Sequence, residues 1–262
     1  MRYFLHLAYD GTRFHGWQIQ PGTLTVQQEL DRCLSQILRQ PVYSLGSGRT
    51  DSGVHASHQV AHFDAELPTG LDLDTLLYRL NRALPADMRG YLVHPVPPTA
   101  HARFDARVRT YEYHVRLVPD PFAAPHALYL DRAPDVAAMN EAAAYLIGDH
   151  DFTSFSKVGG SEKHYRCLCY EAGWHPAPGG VVFRIRANRF VRGMVRLVVG
   201  TLLTVGKGKL TPEEFRQVFA SLNRVHASGA AKAQGLFLCR VEYPAGLVPT
   251  ELLPTGLPYF AG

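Results

Sequence analysis

Lysine is scarce in this chain. Of 27 lysines and arginines, five are lysine (Lys157, Lys163, Lys207, Lys209 and Lys232), which leaves 22 arginines. Arginine pairs bidentately with phosphate and stacks on bases, so the bias suits a phosphate-bearing partner. The codon bias of a GC-rich genome accounts for it equally well. Cysteine is rare too: four residues, none in a C-x-x-C pair. Cys167 and Cys169 fall on one face of a strand, which argues against a zinc site or a disulfide framework. Long apolar runs are missing. The opening MRYFLHLAYDG meets Asp10 before any useful run, so no signal peptide or membrane span is expected and the cytoplasm is the default location. Low-complexity tracts are absent as well. What is there is 262 residues, 46% hydrophobic and 19% charged, with a net charge of +4. Such a chain can bury a proper core in one large or two medium domains. Its charge permits a nucleic-acid partner without requiring one.

The apolar pattern predicts a strand from Tyr3 to Tyr9 and a helix over Val26 to Arg39, with Val26, Leu30, Leu34, Ile37 and Leu38 on one face. Thr25 and Gln28 make a capping box, and Pro41 stops the helix. Strands follow at Val42 to Leu45 and Gln59 to Asp64, a helix at Asp72 to Leu84, and a strand at Gly90 to His94. The order β-α-β-β-α-β then repeats. Its second copy has a strand Arg107 to Val118, a helix Val136 to Ile147, and strands Tyr165 to Gly173 and Val181 to Ala187. A helix Arg189 to Val205, a shorter one after Pro212 and a closing strand Leu236 to Tyr243 complete it. Two such units in tandem define an α+β fold of ferredoxin-like (RRM-like) halves with antiparallel sheets and a cleft between them. The expected domains are residues 1–98 and 99–262, joined through Pro95 to Ala100.

The stretch GSGRTDSGVHA, Gly46 to Ala56, is the most unusual. A dinucleotide fingerprint needs glycine where Asp51 stands, and a P-loop needs Lys and Ser/Thr where Val54 and His55 stand, so both phosphate readings fail. Asp51-Ser52-Gly53 is also the triplet of aspartic proteases, whose chemistry needs a second carboxylate sharing a proton. No second triplet occurs, so an aspartic protease would have to be a symmetric dimer, and Arg49 nearby favours an ionised Asp51. An Asx-turn, in which Asp51 bonds its own backbone, is the bland reading.

Positive charge gathers in two places. In the strand from Arg107, the residues Arg107, Arg109, Tyr111 and Tyr113 alternate onto one face, an order that suits phosphates on arginine and bases on tyrosine, or simply an exposed sheet face. In RIRANRFVRGMVR, Arg189, Arg192 and Arg196 recur at helical spacing near a helix start, where the macrodipole disfavours cations. An anion arriving at that end explains them. His55, His58 and His62 invite a metal, but no acidic cluster accompanies them. Trp17 either stacks on RNA or caps the core.

These residues match a known pattern. GRTDSGVHA at 48–56 resembles the signature loop of the tRNA pseudouridine synthase A family. So do YDGTRFHGWQIQ at 9–20, HARFDARVRTYEYHV at 101–115, DFTSF at 151–155, NRFVRGMVR at 188–196 and AKAQGLFL at 231–238. The blocks keep the family's order over nearly the whole chain. Two depart from it: Ser52 stands where the family usually has Ala, and Gln234 where it usually has Glu. The resemblance implies isomerisation of uridine to pseudouridine in the tRNA anticodon stem-loop, at positions 38 to 40, by a homodimer without metal or cofactor. It makes Asp51 the catalytic aspartate, with Arg49 and Arg196 around it. It also makes Tyr111 the aromatic against the target base and Leu236 an apolar wall. His101, Arg103 and Phe104 fall in a stretch implicated in tRNA contact, and the Lys157 to Lys163 loop is another candidate. The reaction breaks N1–C1′ and joins C5 to C1′, which an ionised carboxylate serves as nucleophile or as base. From another class, a non-catalytic RNA-binding protein with two RRM-like halves competes, although the RRM octapeptide is missing from both.

Overall fold

The computed structural model describes residues 1–157, 159 and 164–249. Among these residues the fold is mixed α+β, with ten mostly antiparallel strands and five α-helices. The described residues form two compact units: Met1–Arg107 with residues 237–249, and Val108–Leu236.

The first unit runs β1 (Arg2–Tyr9), α1 (Val26–Leu38), β2 (Leu45–Gly46), β3 (His55–Asp64), α2 (Leu73–Ala83) and β4 (Met88–Val96). In the sheet, β1 lies between β4 and β3, antiparallel to both, and β2 pairs with β3 beyond them. The helices begin where short polar side chains can take their free N–H groups. Thr25 Oγ1 accepts from Gln28 N–H (3.4 Å), and Asp72 from Thr75 N–H (2.7 Å). α1 ends at Arg39 in a left-handed conformation (φ 55°), two residues short of Pro41. Leu30, Leu34, Leu76 and Leu80 are fully buried, and each such side chain contributes about 2 kcal/mol of burial. β4 runs through Pro95, which is tolerated because β4 ends the row of strands.

β3 starts four residues before the expected Gln59. The extension pairs in parallel with the last of the described strands, β10 (Leu236–Glu242), through Phe237–His55 and Leu238–Ala56. That pairing is long-range and leaves no local mark in the sequence.

β1, β3 and β4 also bring three buried histidines into a row. His6 Nδ1 lies 3.0 Å from His58 Nε2, and His6 Nε2 lies 3.1 Å from His94 Nε2. The ends of the row assign the protons. Val241 N–H donates to His58 Nδ1 (3.2 Å), and Pro95 O can only accept from His94 Nδ1 (3.3 Å). His58 Nε2–H therefore donates to His6, and His6 Nε2–H donates to His94. All three rings are neutral, with each facing lone pair already used. Burial pushes His6 down to about 3 and His58 to about 4, and lowers His94 as well.

The second unit contains β5 (Val108–Arg116), β6 (Leu128–Tyr129), α3 (Val136–Ala144), β7 (Gly148–Asp151), β8 (Arg166–Ala177), β9 (Gly180–Ala187), α4 (Met194–Gly206) and α5 (Pro212–Ala220). Its strands lie β5-β9-β8-β7, all antiparallel neighbours, with β6 parallel to β5. α3 packs on α4, α5 and β8. α5 carries a complete capping box, Thr211 with Glu214, and Pro212 at its first position. The four cysteines are free thiols.

Two expectations need correction. The helix expected from Arg189 begins at Met194, so Arg189 and Arg192 precede it and do not share a helical face with Arg196. Asn188 still follows the strand ladder: its N–H donates to Leu168 O and its side-chain oxygen accepts from Leu168 N–H. The chain turns into the helix only at Gly193, whose φ of 73° suits glycine. The β5 face carrying Arg109, Tyr111 and Tyr113 is buried rather than open.

Candidate active site

The Asp51 loop connects β2 to β3 in the first unit. On its entry side the Gln59 amide receives Ser47 Oγ and donates to Gly48 O (3.1 Å). Thr50 is buried, its hydroxyl 2.8 Å from Tyr9 Oη and its carbonyl accepting from Trp17 N–H (3.2 Å). Asp51 is half-buried and Arg49 exposed. The Asp51 carbonyl accepts from Val54 N–H (3.1 Å), closing a turn through Gly53 (φ 74°), whose own N–H donates to Phe14 O (3.1 Å). A half-exposed carboxylate therefore stands on a turn pinned on both sides. At Gly48 a Cβ would meet nothing within 4 Å.

The segment doing the pinning, Gly11 to Trp17, lies in the block that carries the family resemblance, and its hold on the Asp51 loop is visible only in the structure. Its signal is a pair of glycines. A Cβ at Gly16 would stand 2.5 Å from Thr50 O, and one at Gly11 2.1 Å from Val54 O. Trp17 is buried with its indole flat against Gly46, so it caps the core. Gly16→Ala forces the loop to move as well as straining a backbone at φ 90°. It is expected to cost about 2 kcal/mol or more in stability. Gly22→Ala, at φ 72° in open space, carries the strain alone. Thermal melts of the two variants check this: equal losses would refute close approach at Gly16.

His101, Arg103 and Phe104 form one tight turn in the same unit. Asp105 N–H donates to His101 O (3.0 Å), and Asp105 Oδ2 accepts from His101 N–H (2.8 Å). His101 Nδ1 accepts from the N–H groups of Arg103 and Phe104 (3.1 and 3.3 Å). The rings of His62, His101 and Phe104 follow one another at 4.6 and 4.2 Å, with the Arg103 guanidinium 6.0 Å over Phe104. Phe104 is 76% exposed, an unusual place for an apolar ring on so rigid a turn. Arg107 is exposed, its N–H bonded to Glu242 O.

In the second unit, Tyr111 lies in β5 with its ring meeting Phe190 edge-on (5.0 Å, 81°). Arg109, on the same face, donates to Asn188 O (2.8 Å). Tyr113 is fully buried and donates to Lys232 O (2.9 Å), and burial pushes its phenol up. Arg196 sits in the first turn of α4. Its Nε donates to Ala231 O (2.7 Å), and Ala231 N–H returns a bond to Arg196 O (2.8 Å). These bonds tie the stretch leading to Leu236, which is buried, onto α4 and β5. Arg189 bonds the His164 ring, Arg192 is exposed, and the Arg192 carbonyl accepts from Lys157 N–H (2.9 Å). Lys163 lies outside the described residues. Gln234, the departure from Glu, uses its amide to donate to Ala124 O and Ala127 O (3.0 and 3.1 Å), bonds a carboxylate could not make.

The three histidines singled out in β3 have separate partners. His55 Nδ1 accepts from Gly11 N–H, His58 belongs to the buried row, and His62 Nδ1 accepts from Ala102 N–H. Among the described residues no helix is long and apolar enough to cross a membrane.

A half-exposed carboxylate on a turn held by backbone bonds can act as a nucleophile or as a base. A family model described as tRNA pseudouridine synthase matches residues 142–244. A tRNA pseudouridine synthase A of Parabacteroides distasonis is 48% identical over 250 residues, covering 95% of this chain and 99% of the relative. One of Bacteroides thetaiotaomicron is 48% identical over 97% of this chain and 98% of its own. One of Chlorobaculum tepidum is 41% identical over 91% and 96%. The chain belongs to the tRNA pseudouridine synthase family, and with it to the isomerases.

Proposed function

We propose that this protein converts uridine to pseudouridine in the anticodon stem-loop of tRNA, at positions 38 to 40, with Asp51 as the reacting carboxylate. The observation that carries the reading is Asp51 itself, half-exposed on a turn held from both sides. A carboxylate so placed either attacks C1′ or removes a sugar proton, and in both roles it works ionised. The family resemblance assigns Arg49 and Arg196 to supply the positive charge that serves it. Tyr111 replaces the stacking lost when the base leaves its helix, and Leu236 keeps the loosened uracil from water. The exposed turn of Arg103 and Phe104, with Arg107, Arg189, Arg192, Lys157 and Lys163, serves tRNA contact. The enzyme works as a homodimer in the cytoplasm without metal or cofactor. Its architecture is a tandem of ferredoxin-like halves, supported by the element order of the first unit.

Tritium release from tRNA transcripts carrying [5-³H]uridine tests the proposal, because pseudouridine formation replaces the C5 hydrogen. Release is expected, and replacing the uridines at 38 to 40 with cytidines removes it. Tight tRNA binding without release would favour the non-catalytic RNA-binding reading instead.

A further inference from the structure

We propose that Tyr9 is a positioning residue for Asp51, acting through the hydroxyl of Thr50; this rests on the reading of Asp51 as the catalytic carboxylate. Tyr9 closes β1, the strand held between β3 and β4, and is 3% exposed. Its ring packs near that of Trp17 (6.2 Å). Its hydroxyl is 2.8 Å from Thr50 Oγ1 in a buried pair. Phenylalanine would fill this space without burying a hydroxyl, so the phenol's contribution lies in the bond it makes.

What that bond fixes is the residue immediately before Asp51. The Thr50 carbonyl is already taken by Trp17 N–H, and beyond Asp51 the chain is taken by Phe14 O and by the turn closing on Val54. The side-chain pair of Tyr9 and Thr50 completes this hold. It ties the loop by a side chain to a strand in the body of the sheet. The direction in which the Asp51 carboxylate leaves the backbone then follows from dihedrals that cannot drift. Attack or proton removal at a ribose carbon requires placement within about 0.5 Å. Binding of tRNA, spread over many arginines, has no such requirement. Loss of the bond therefore acts on turnover and spares binding.

The test compares Tyr9→Phe, Thr50→Val, Thr50→Ser and the Tyr9→Phe/Thr50→Val double variant in full-length enzyme, reading kcat, KM for tRNA and melting temperature. Expected are a fall in kcat of about tenfold in either single variant and KM within about twofold of wild type. The double variant is no worse than the singles, because both remove one shared interaction. Thr50→Ser, which keeps a hydroxyl, recovers most of the rate that Thr50→Val loses. A lowered melting temperature with unchanged kcat, or losses that multiply in the double variant, overturns the proposal. If Tyr9→Phe does not accumulate as folded protein, Thr50→Val reads the same bond from its other end. Asp51→Asn run alongside separates the two ideas. Turnover surviving in Asp51→Asn sinks the catalytic reading, whereas an inactive Asp51→Asn beside a fully active Tyr9→Phe sinks only the positioning.

Discussion

Asp51→Asn is expected to lower kcat for pseudouridine formation by at least roughly 10⁴-fold while tRNA affinity stays near wild type. The substitution keeps the side chain's size. It removes the charge that either attacks C1′ or takes the sugar proton, and an amide does neither. Asparagine keeps the backbone bonds of Asp51, Gly53 and Val54 that shape this turn. Single-turnover tritium release with a folded variant, checked by circular dichroism, reads the effect. Activity within tenfold of wild type would remove Asp51 from the chemistry.

Stability is expected to fall by at least about 3 kcal/mol between pH 7 and pH 4.5, and the buried histidines are the cause. A free histidine titrates near 6.5, whereas burial holds His6 at about 3 and His58 at about 4. Below pH 6.5 the unfolded chain takes up protons that the folded rings refuse, so the unfolded state gains. At about 1.4 kcal/mol per unit for each group, these two histidines cost on the order of 5 kcal/mol over that window. Asp31 works in the opposite sense. Burial raises its carboxyl to about 6, so the folded state binds that proton more tightly and recovers about 2 kcal/mol as pH falls from 6 toward 4. Urea unfolding at pH 7 and pH 4.5 measures the net change, and Asp31→Asn should steepen it. A midpoint that stays level or rises on acidification would show that the row is not held neutral.

The relation of sequence to structure differs from element to element. α1, α2 and α5 were legible because their starts carry Thr25, Asp72 and Thr211-Pro212 and their apolar spacing is regular. β6 and β7 were not, since two residues, or the four of Gly-Asp-His-Asp, hold no alternation to read. Arg189 and Arg192 mimic helical spacing while standing ahead of the helix, because spacing alone does not report the left-handed entry at Gly193. The histidine row depends on register among β1, β3 and β4, which the strands reveal only when paired. In the candidate site, Asp51 stood out by its chemistry. The residues that hold it did not, for Tyr9, Gly11, Gly16 and Trp17 lie more than thirty positions away and work mostly through backbone groups.

The last strand bears on the order in which the molecule can be made. β10 supplies the parallel partner of β3, the N–H that orients His58, and the carbonyl that receives Arg107 N–H. Tyr243 adds a bond to Ala102 O. All four belong to the unit that leaves the ribosome first, yet they come from the segment translated after the second unit. Domains usually mature in the order of their synthesis. Here the earlier one stays one strand short, with the start of β3 an open edge, until the later one has been read through. A nascent chain stalled before Phe237 would hold the Asp51 loop in a sheet without its final strand, a natural target for chaperones and for quality-control proteases.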